Sequence, residues 1–248
     1  MTSKSSPILG IDTGGTFTDF VYLHQPGAKH QVQVHKVLST PHAPDEAILQ
    51  GIEEMALTES VRSGAILIIH GTTVATNAAL EGKGVRTAYI TNSGLADVLA
   101  IGRQTREELY NLTPDLPKVR FDPSLNLEVD VRLDAKGEVV TPLTPAALKQ
   151  LERDVKSLKP EAIAINLLFS YLDPADEMTI EALFQEHFFV SRSSFVLPEI
   201  NEYERGISTW VNSWIGPLIR DYLNSLQRSL APAPLAIMQS SGHTVASH

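Results

Sequence analysis

The run Asp12-Thr13-Gly14-Gly15-Thr16-Phe17-Thr18-Asp19 concentrates side chains able to do chemistry. Gly14 and Gly15 lack a Cβ, so an anion can approach the main chain closely there. Successive amides in such a turn form a concave anion site, to which Thr13, Thr16 and Thr18 add hydroxyl donors. Asp12 would repel a phosphate directly, so its role at such a site is to hold Mg²⁺ or a metal-bound water. The plainer alternative is a tight hairpin whose threonines suit strands. Asp before the glycines, with Thr, Thr and Asp after them, favours the phosphate reading.

A second run, His70-Gly71-Thr72-Thr73-Val74-Ala75-Thr76-Asn77, follows an apolar segment that reads as a buried strand. Ligand sites in open α/β sheets gather at the carboxyl ends of strands. Gly71 permits close approach, and Thr72 and Thr73 stand where a helix would begin facing an anion. His70 suits a proton carrier or a ligand-contacting donor. Alone, these residues read equally as an ordinary helix cap and a satisfied histidine at a strand end.

The elements that must position these runs can be traced along the chain. Two strands, Ile8–Asp12 and Phe17–Leu23, flank Gly14-Gly15 as a hairpin. Gln31–Leu38 is a third strand, with Val32 and Val34 on one face. Asp45–Glu59 is a helix presenting Ile48, Ile52, Met55 and Ala56. Ala65–Ile69 and Arg86–Ile90 are strands, with helices over Val74–Leu80 and Gly94–Ala100, the latter capped by Asn92 or Ser93. The Pro-containing stretch Arg103–Asp122 reads as a long loop or insertion. A second hairpin turns at Asp134–Gly137, and Thr144-Pro145 starts a helix bearing Leu148, Leu151, Val155 and Leu158. Strands at Ile163–Phe169 and Phe195–Leu197 flank a helix from Asp173 to about Glu186. Ile207–Leu230 is the longest helical stretch, and Pro217 should kink or split it. After Ala231-Pro232-Ala233-Pro234, a strand at Leu235–Met238 opens what reads as a further domain. The expected division is therefore residues 1–100, 101–230 and 231–248. The fold class is α/β, with three antiparallel strands feeding a βαβ series as in ribonuclease-H-like mixed sheets.

The 248 residues carry 20 Lys+Arg against 29 Asp+Glu, a formal charge of −9, which argues against a nucleic-acid partner. There is no cysteine, which excludes a disulfide framework, a thiolate metal site and a cysteine nucleophile. The start is polar and the following apolar segment is broken by Gly10 and Asp12, so neither a secretory signal nor a membrane span is read, and a cytoplasmic location is expected. Asn111-Leu112-Thr113 therefore reads as a plain loop rather than a glycan site. His24, His30, His35 and His42 are close in sequence but not at a shared-ligand spacing, so they read as surface histidines. Arg103 and Arg106 suit either anion recognition or a solvated loop. Glu202, Glu204 and Arg205 read as a structural ion-pair cluster.

Taken in order, Gly10–Asp19, His35-Lys36-Val37 with Thr40-Pro41, and His70–Asn77 resemble the N-terminal region of the hydantoinase A/5-oxoprolinase family. Asp97-Val98-Leu99 with Ile101-Gly102-Arg103-Gln104, Leu168–Tyr171, Leu197–Ile200 and Glu202–Arg205 extend the resemblance over nearly the whole chain. Departures are Asp176-Glu177 in place of His-Glu, Gly206-Ile207-Ser208 after the Glu-Arg pair, the bulky Trp210–Trp214 segment and Ser240–His243 in place of Ser-Asn-Gly-Gly. The resemblance implies an actin/sugar-kinase/heat-shock type of ATPase lobe and a fragment of a longer protein. It further implies an ATP- and Mg²⁺-dependent hydrolase of cyclic amides, acting as an oligomer with a hydantoinase B-type partner, that phosphorylates the ring amide. Asp12 would hold Mg²⁺, Thr13 to Thr16 would contact phosphate, and His70, Thr72 and Thr73 would border the phosphoryl acceptor. An acetone- or acetophenone-type carboxylase subunit and a non-catalytic remnant are the alternatives. The isolated 248-residue chain is expected to be inactive.

Overall fold

Leu9, Ile11 and Thr13 point to one side of strand β1 (Ile8–Thr13), and Thr18, Phe20 and Tyr22 point to the same side of β2 (Phe17–Leu23). All six are buried, and this shared face is why the two strands pair antiparallel around Gly14-Gly15. The third strand, β3 (Val32–Leu38), pairs antiparallel with β2. It buries only Val37, while Val32 and Val34 lie exposed on the opposite face. These strands belong to a computed structural model that describes residues 6–24, 32–40, 43–103, 110, 121–239 and 243–246.

The chain divides into two units, Met1–Ala78 with Ile219–His248, and Ala79–Leu218. This division departs from the expected boundaries at 100 and 230. In the first unit, β4 (Leu67–Thr72) lies parallel to β1, and β11 (Leu235–Met238) lies parallel to β4. With β12 (Thr244–Ala246) antiparallel to β11, the sheet order is β12-β11-β4-β1-β2-β3. The segment expected to open a new domain thus completes the first sheet, because Leu235 pairs with Ile68 and shares its core. The fourth strand also runs later than expected, carrying His70 and Gly71 within the ladder rather than after it.

Helix α1 (Pro44–Glu54) begins with Pro44 and has Asp45 and Glu46 in its first turn, both favourable at a helix start. It is shorter than the helix expected over 45–59. Ala56 takes φ 58°, and the Leu57 N–H donates to the Ile52 carbonyl at 2.9 Å, a left-handed cap that ends the helix. Leu57 therefore joins the core in place of Ala56, and a short α2 (Thr58–Arg62) follows. Helix α1 lies so close to β2 that a Cβ on Gly51 would fall 2.2 Å from Phe20 Cζ. The core also takes Leu226 and Leu230 from the last helix, α8 (Glu202–Leu230). That helix runs continuously through Pro217, although the unit boundary falls just after it. Between β4 and the second unit runs α3 (Val74–Leu80).

The second unit is built on four parallel strands ordered β10-β9-β5-β6, where β5 is Thr87–Asn92, β6 Asn126–Val129, β9 Ala162–Asn166 and β10 Phe189–Arg192. Every residue of β5 and β9 is buried, as expected of strands covered on both faces. Ala88, Ile90, Ile163 and Ile165 face a core with α5 (Pro145–Leu158) and α6 (Ala175–Phe184). Tyr89 and Ala164 face the other way, onto Trp210 and Trp214 of α8. Those two rings stack 5.2 Å apart, and a Cβ on Gly84 would fall 2.1 Å from Trp214 Cε2, so this bulky segment has a matching glycine.

Thr144 caps α5 as expected, its hydroxyl accepting from Ala147 N–H at 3.1 Å. The expected hairpin is β7 (Arg132–Leu133) with β8 (Val139–Thr141). Two expectations fail. The helix read over Gly94–Ala100 is reduced to α4 (Val98–Ile101), and Asn92 does not cap it but holds Leu168 N–H and the Val131 carbonyl. The strand read at 195–197 is instead α7 (Ser193–Val196), because buried Ser193 and the Ser194 N–H are drawn onto the Glu177 carboxylate. Among the described residues, no helix is long and apolar enough to cross a membrane. The Arg103–Asp122 loop lies mostly outside the described residues.

Candidate functional site

The β1–β2 turn is closed by the Gly14 N–H, which donates to the Phe17 carbonyl at 3.0 Å. A Cβ on Gly14 would stand 3.1 Å from that same oxygen, so the turn is tight enough to favour glycine. Ser39, just after β3, braces the turn from below. Its hydroxyl donates to the Gly14 carbonyl at 2.8 Å and lies 3.0 Å from the Thr18 hydroxyl, while its N–H donates to the Thr16 carbonyl at 2.9 Å. Thr18 is fully buried and acts through Ser39 rather than outward, whereas Gly15 and Thr16 are exposed at the tip. Nothing in the sequence separated Ser39 from other loop serines.

Parallel register brings the β4 exit level with this turn: Asp12 lies opposite Gly71 and Thr13 opposite Thr72. The Thr73 N–H and hydroxyl both reach the Thr13 carbonyl at 3.3 Å, and the Thr72 hydroxyl accepts from Val74 N–H at 3.1 Å. Asn77 Nδ2 reaches the Thr73 hydroxyl at 3.4 Å. Thus Asp12, Thr13, Gly14, Gly15, Gly71, Thr72 and Thr73, singled out from two separate runs, are neighbours at the carboxyl end of two parallel strands, where ligands gather in open sheets.

Two faces of the sheet divide their roles. Asp12 is exposed, and its carboxylate has no hydrogen bond or ion pair among the described residues. A Cβ on Gly71 would lie 3.4 Å from Asp12 Oδ1, so this glycine leaves the carboxylate room. On the opposite face Thr13 is 3% exposed, and its hydroxyl is buried without a hydrogen-bond partner of good geometry.

Beside it His70 is fully buried, its Nε2 sharing a 2.8 Å hydrogen bond with the Tyr222 hydroxyl of α8. Burial pulls the His70 pKa down to about 4, against a smaller opposing effect of the Ile11 main chain. The ring is therefore neutral at pH 7. Burial likewise pushes the Tyr222 phenol up to about 12, with the hydroxyls of Thr13 and Thr72 acting the other way. Tyr222 was not foreseen, since a lone tyrosine on an amphipathic helix carries no mark of a partner 152 residues away.

The remaining candidates have structural partners. His35 Nε2 lies 2.6 Å from Glu54, and His24 Nδ1 lies 3.1 Å from the Tyr22 hydroxyl. Arg103 pairs with Glu204 at 2.8 Å. Arg205 is fully buried, donating to the Leu167 carbonyl at 2.7 Å and the Glu199 carbonyl at 3.0 Å. The buried Glu177 carboxylate accepts from Leu167 N–H and Ser194 N–H at 2.8 Å and from the Ser193 hydroxyl at 2.7 Å. Partial burial and the neighbouring Asp173 raise the Asp176 carboxyl. His30, His42, Arg106, Asn111–Thr113 and Ser240–Gly242 lie outside the described residues. Among the described residues no three His, Cys, Asp or Glu side chains converge on a metal site.

The donor set fits Mg²⁺ carried in with a nucleotide. Mg²⁺ keeps much of its water and uses one or two carboxylates plus phosphate oxygens rather than an all-protein cage. A single exposed carboxylate beside the backbone of Gly71 and the glycine turn suits that pattern.

Residues 8–188 match the family model described as the hydantoinase/oxoprolinase N-terminal region. The chain is 30% identical over 254 residues to caprolactamase subunit alpha of Pseudomonas jessenii, covering 97% of this chain and 36% of that protein. It is 32% identical to 5-oxoprolinase 1 of Arabidopsis thaliana, covering 94% of this chain and 21% of that one. The crystal structure of ATP-dependent caprolactamase from Pseudomonas jessenii superposes with a TM-score of 0.81 at 28% identity, over 97% of this chain and 36% of that one. The nucleotide-free structure of acetone carboxylase has the same fold, with a TM-score of 0.81 at 23% identity over 98% of this chain and 37% of that one. The chain thus spans roughly a third or less of the length of these relatives.

Proposed function

The chain belongs to the hydantoinase/oxoprolinase family, and from that premise we propose that it forms the phosphate-binding part of an ATP-dependent cyclic-amide hydrolase. Asp12 carries the proposal: its carboxylate is exposed, unpaired among the described residues, and set beside the side-chain-free backbone of Gly14, Gly15 and Gly71. The strand order β3-β2-β1-β4-β11, three antiparallel strands followed by two parallel to β1, supports a ribonuclease-H-like lobe of the kind that holds nucleotide phosphates.

In this reading ATP and Mg²⁺ are the cofactors, and Asp12 holds the cation. Backbone amides of Gly15 and Thr16, at the exposed tip of the turn, face the phosphates, whereas the Gly14 amide closes the turn and the Thr13 hydroxyl is buried on the other face of the sheet. Thr73 and Ser39 fix the turn from either side, so donors stand in place before the ligand arrives. Thr72, exposed Thr73 and Gly71 border the side from which an acceptor approaches. His70 is buried and neutral, and we assign it with Tyr222 to positioning the β1 and β4 ends rather than to proton transfer. ATP supplies a transferable phosphoryl group, which converts a resonance-stabilised amide oxygen into part of a leaving group.

The relatives named caprolactamase and 5-oxoprolinase support a cyclic amide as substrate. The word subunit in one of those names supports a partner chain, and we propose that this partner is of hydantoinase B type. The test is phosphate release from Mg-ATP by the protein with its partner, offered hydantoin, 5-oxoproline or caprolactam. Release that requires one of these rings is expected. Release that requires acetone or acetophenone with bicarbonate would overturn the substrate class, and release indifferent to all of them would overturn the coupling.

A further inference from the structure

Four residues lie directly opposite one another across four neighbouring strands: Gly71 on β4, Asp12 on β1, Asp19 on β2 and Lys36 on β3. Directly opposed residues share a face of a sheet. This row therefore lies on the face away from His70, Thr13, Thr18 and Val37, which point into the core. At its far end, Lys36 does not project straight out. Its Nζ lies 3.0 Å from Asp19 Oδ1 and 5.0 Å from the centroid of the Phe17 ring, both on β2. The ammonium is thus drawn sideways over β2, between residues 17 and 19 and level with the base of the glycine turn. Neighbouring strands are about 4.8 Å apart, so the charge stands roughly one spacing from the strand that carries Asp12.

That gap is about the width of one phosphoryl group. Bounding it are a free carboxylate suited to a cation and an ammonium whose three N–H donors are only partly used by Asp19. Asp12 alone would repel an anion. With a cation at Asp12 and Lys36 opposite, an anion between them meets the cation on one side and, on the other, the ammonium N–H donors that Asp19 leaves unused. Asp19, its own charge offset by Lys36, and the Phe17 ring fix the direction of a side chain that otherwise has many rotamers.

We propose that Lys36 is a binding residue for the terminal phosphate of the nucleotide, aimed by Asp19 and Phe17. It rests on the reading of the Asp12 turn as the phosphate site. The position was visible in the sequence only as part of His35-Lys36-Val37, with no indication that its charge leans toward Asp12.

Calorimetry on the full chain with Mg-ATP and Mg-ADP tests it, using wild type, Lys36→Met, Lys36→Arg and Asp12→Asn. Met keeps the stem over Phe17 and removes the charge, and because Lys36 is half exposed the melting curve should stay at wild type. Loss of one charge-assisted contact should weaken Mg-ATP binding by about tenfold or more while Mg-ADP binding stays within about twofold, and Lys36→Arg should recover most of the loss. If Lys36→Met binds both nucleotides like wild type while Asp12→Asn weakens them, the assignment of Lys36 is wrong and the phosphate site stands. If Asp12→Asn also changes nothing, the phosphate site itself is wrong, and Lys36 falls with it.

Discussion

His70 makes the stability of the first unit depend on pH between about 4 and 6.5. Its folded pKa is about 4 against an ordinary 6.5, because burial penalises the charged ring. The sign follows from proton counting. Between these two values the unfolded chain binds a proton that the folded chain refuses, so stability rises with pH. The contribution is complete above about pH 6.5, is lost as the pH falls through the window, and reaches its limit near pH 4. A displacement from 6.5 to about 4 corresponds to about 3 kcal/mol, a large share of the roughly 5–15 kcal/mol typical of a domain. Urea unfolding followed by far-ultraviolet circular dichroism from pH 7.5 to pH 4.5 would show it, with His70→Gln as the reference. Glutamine can still bond the Tyr222 hydroxyl but has no proton to gain, so the pH-dependent loss should shrink by about 2–3 kcal/mol relative to wild type. Parallel pH curves for the two proteins, or a His70 ring that titrates near 6.5 by NMR, would refute the reasoning.

Two further predictions concern packing. Gly51→Ala pushes a methyl to within 2.2 Å of the Phe20 ring, which is fully buried and cannot swing away, so a loss of about 1–3 kcal/mol is expected in urea unfolding. Glu177→Ala leaves the buried Arg205 guanidinium without its neighbouring carboxylate and strands three donors. A loss of about 3–5 kcal/mol is expected, read from the fluorescence of Trp210 and Trp214, which lie in the same unit.

Local chemistry was legible in the sequence where it decides the outcome by itself. The Gly14-Gly15 turn between strand-forming runs and the Thr144-Pro145 helix start are both present as read. Readings failed where a distant partner decides. Phe195-Val196 has strand-forming side chains, but Ser193 and Ser194 are bound by Glu177, sixteen or seventeen residues earlier, and the segment coils. Leu235–Met238 read as the start of something new because its partner strand ends more than 160 residues before it. The site followed the same rule. The two runs lie at a turn and along the last residues of a strand, but the division into an outward face with Asp12 and an inward face with Thr13 and His70 needs the register of β1 against β4. Tyr222, Ser39 and the lean of Lys36 likewise depend on pairings that no local pattern encodes.

The Mg²⁺ dependence of ATP binding in wild type and Asp12→Asn bears most directly on whether the turn is a nucleotide-phosphate site. Asparagine is nearly isosteric, and Asp12 is exposed, so the variant should fold as wild type does. Calorimetry with and without Mg²⁺ should show that the cation strengthens ATP binding to wild type by about tenfold or more and leaves the variant nearly unchanged. Equal strengthening of both proteins by Mg²⁺ would contradict the assignment of the cation, and with it the phosphates, to Asp12.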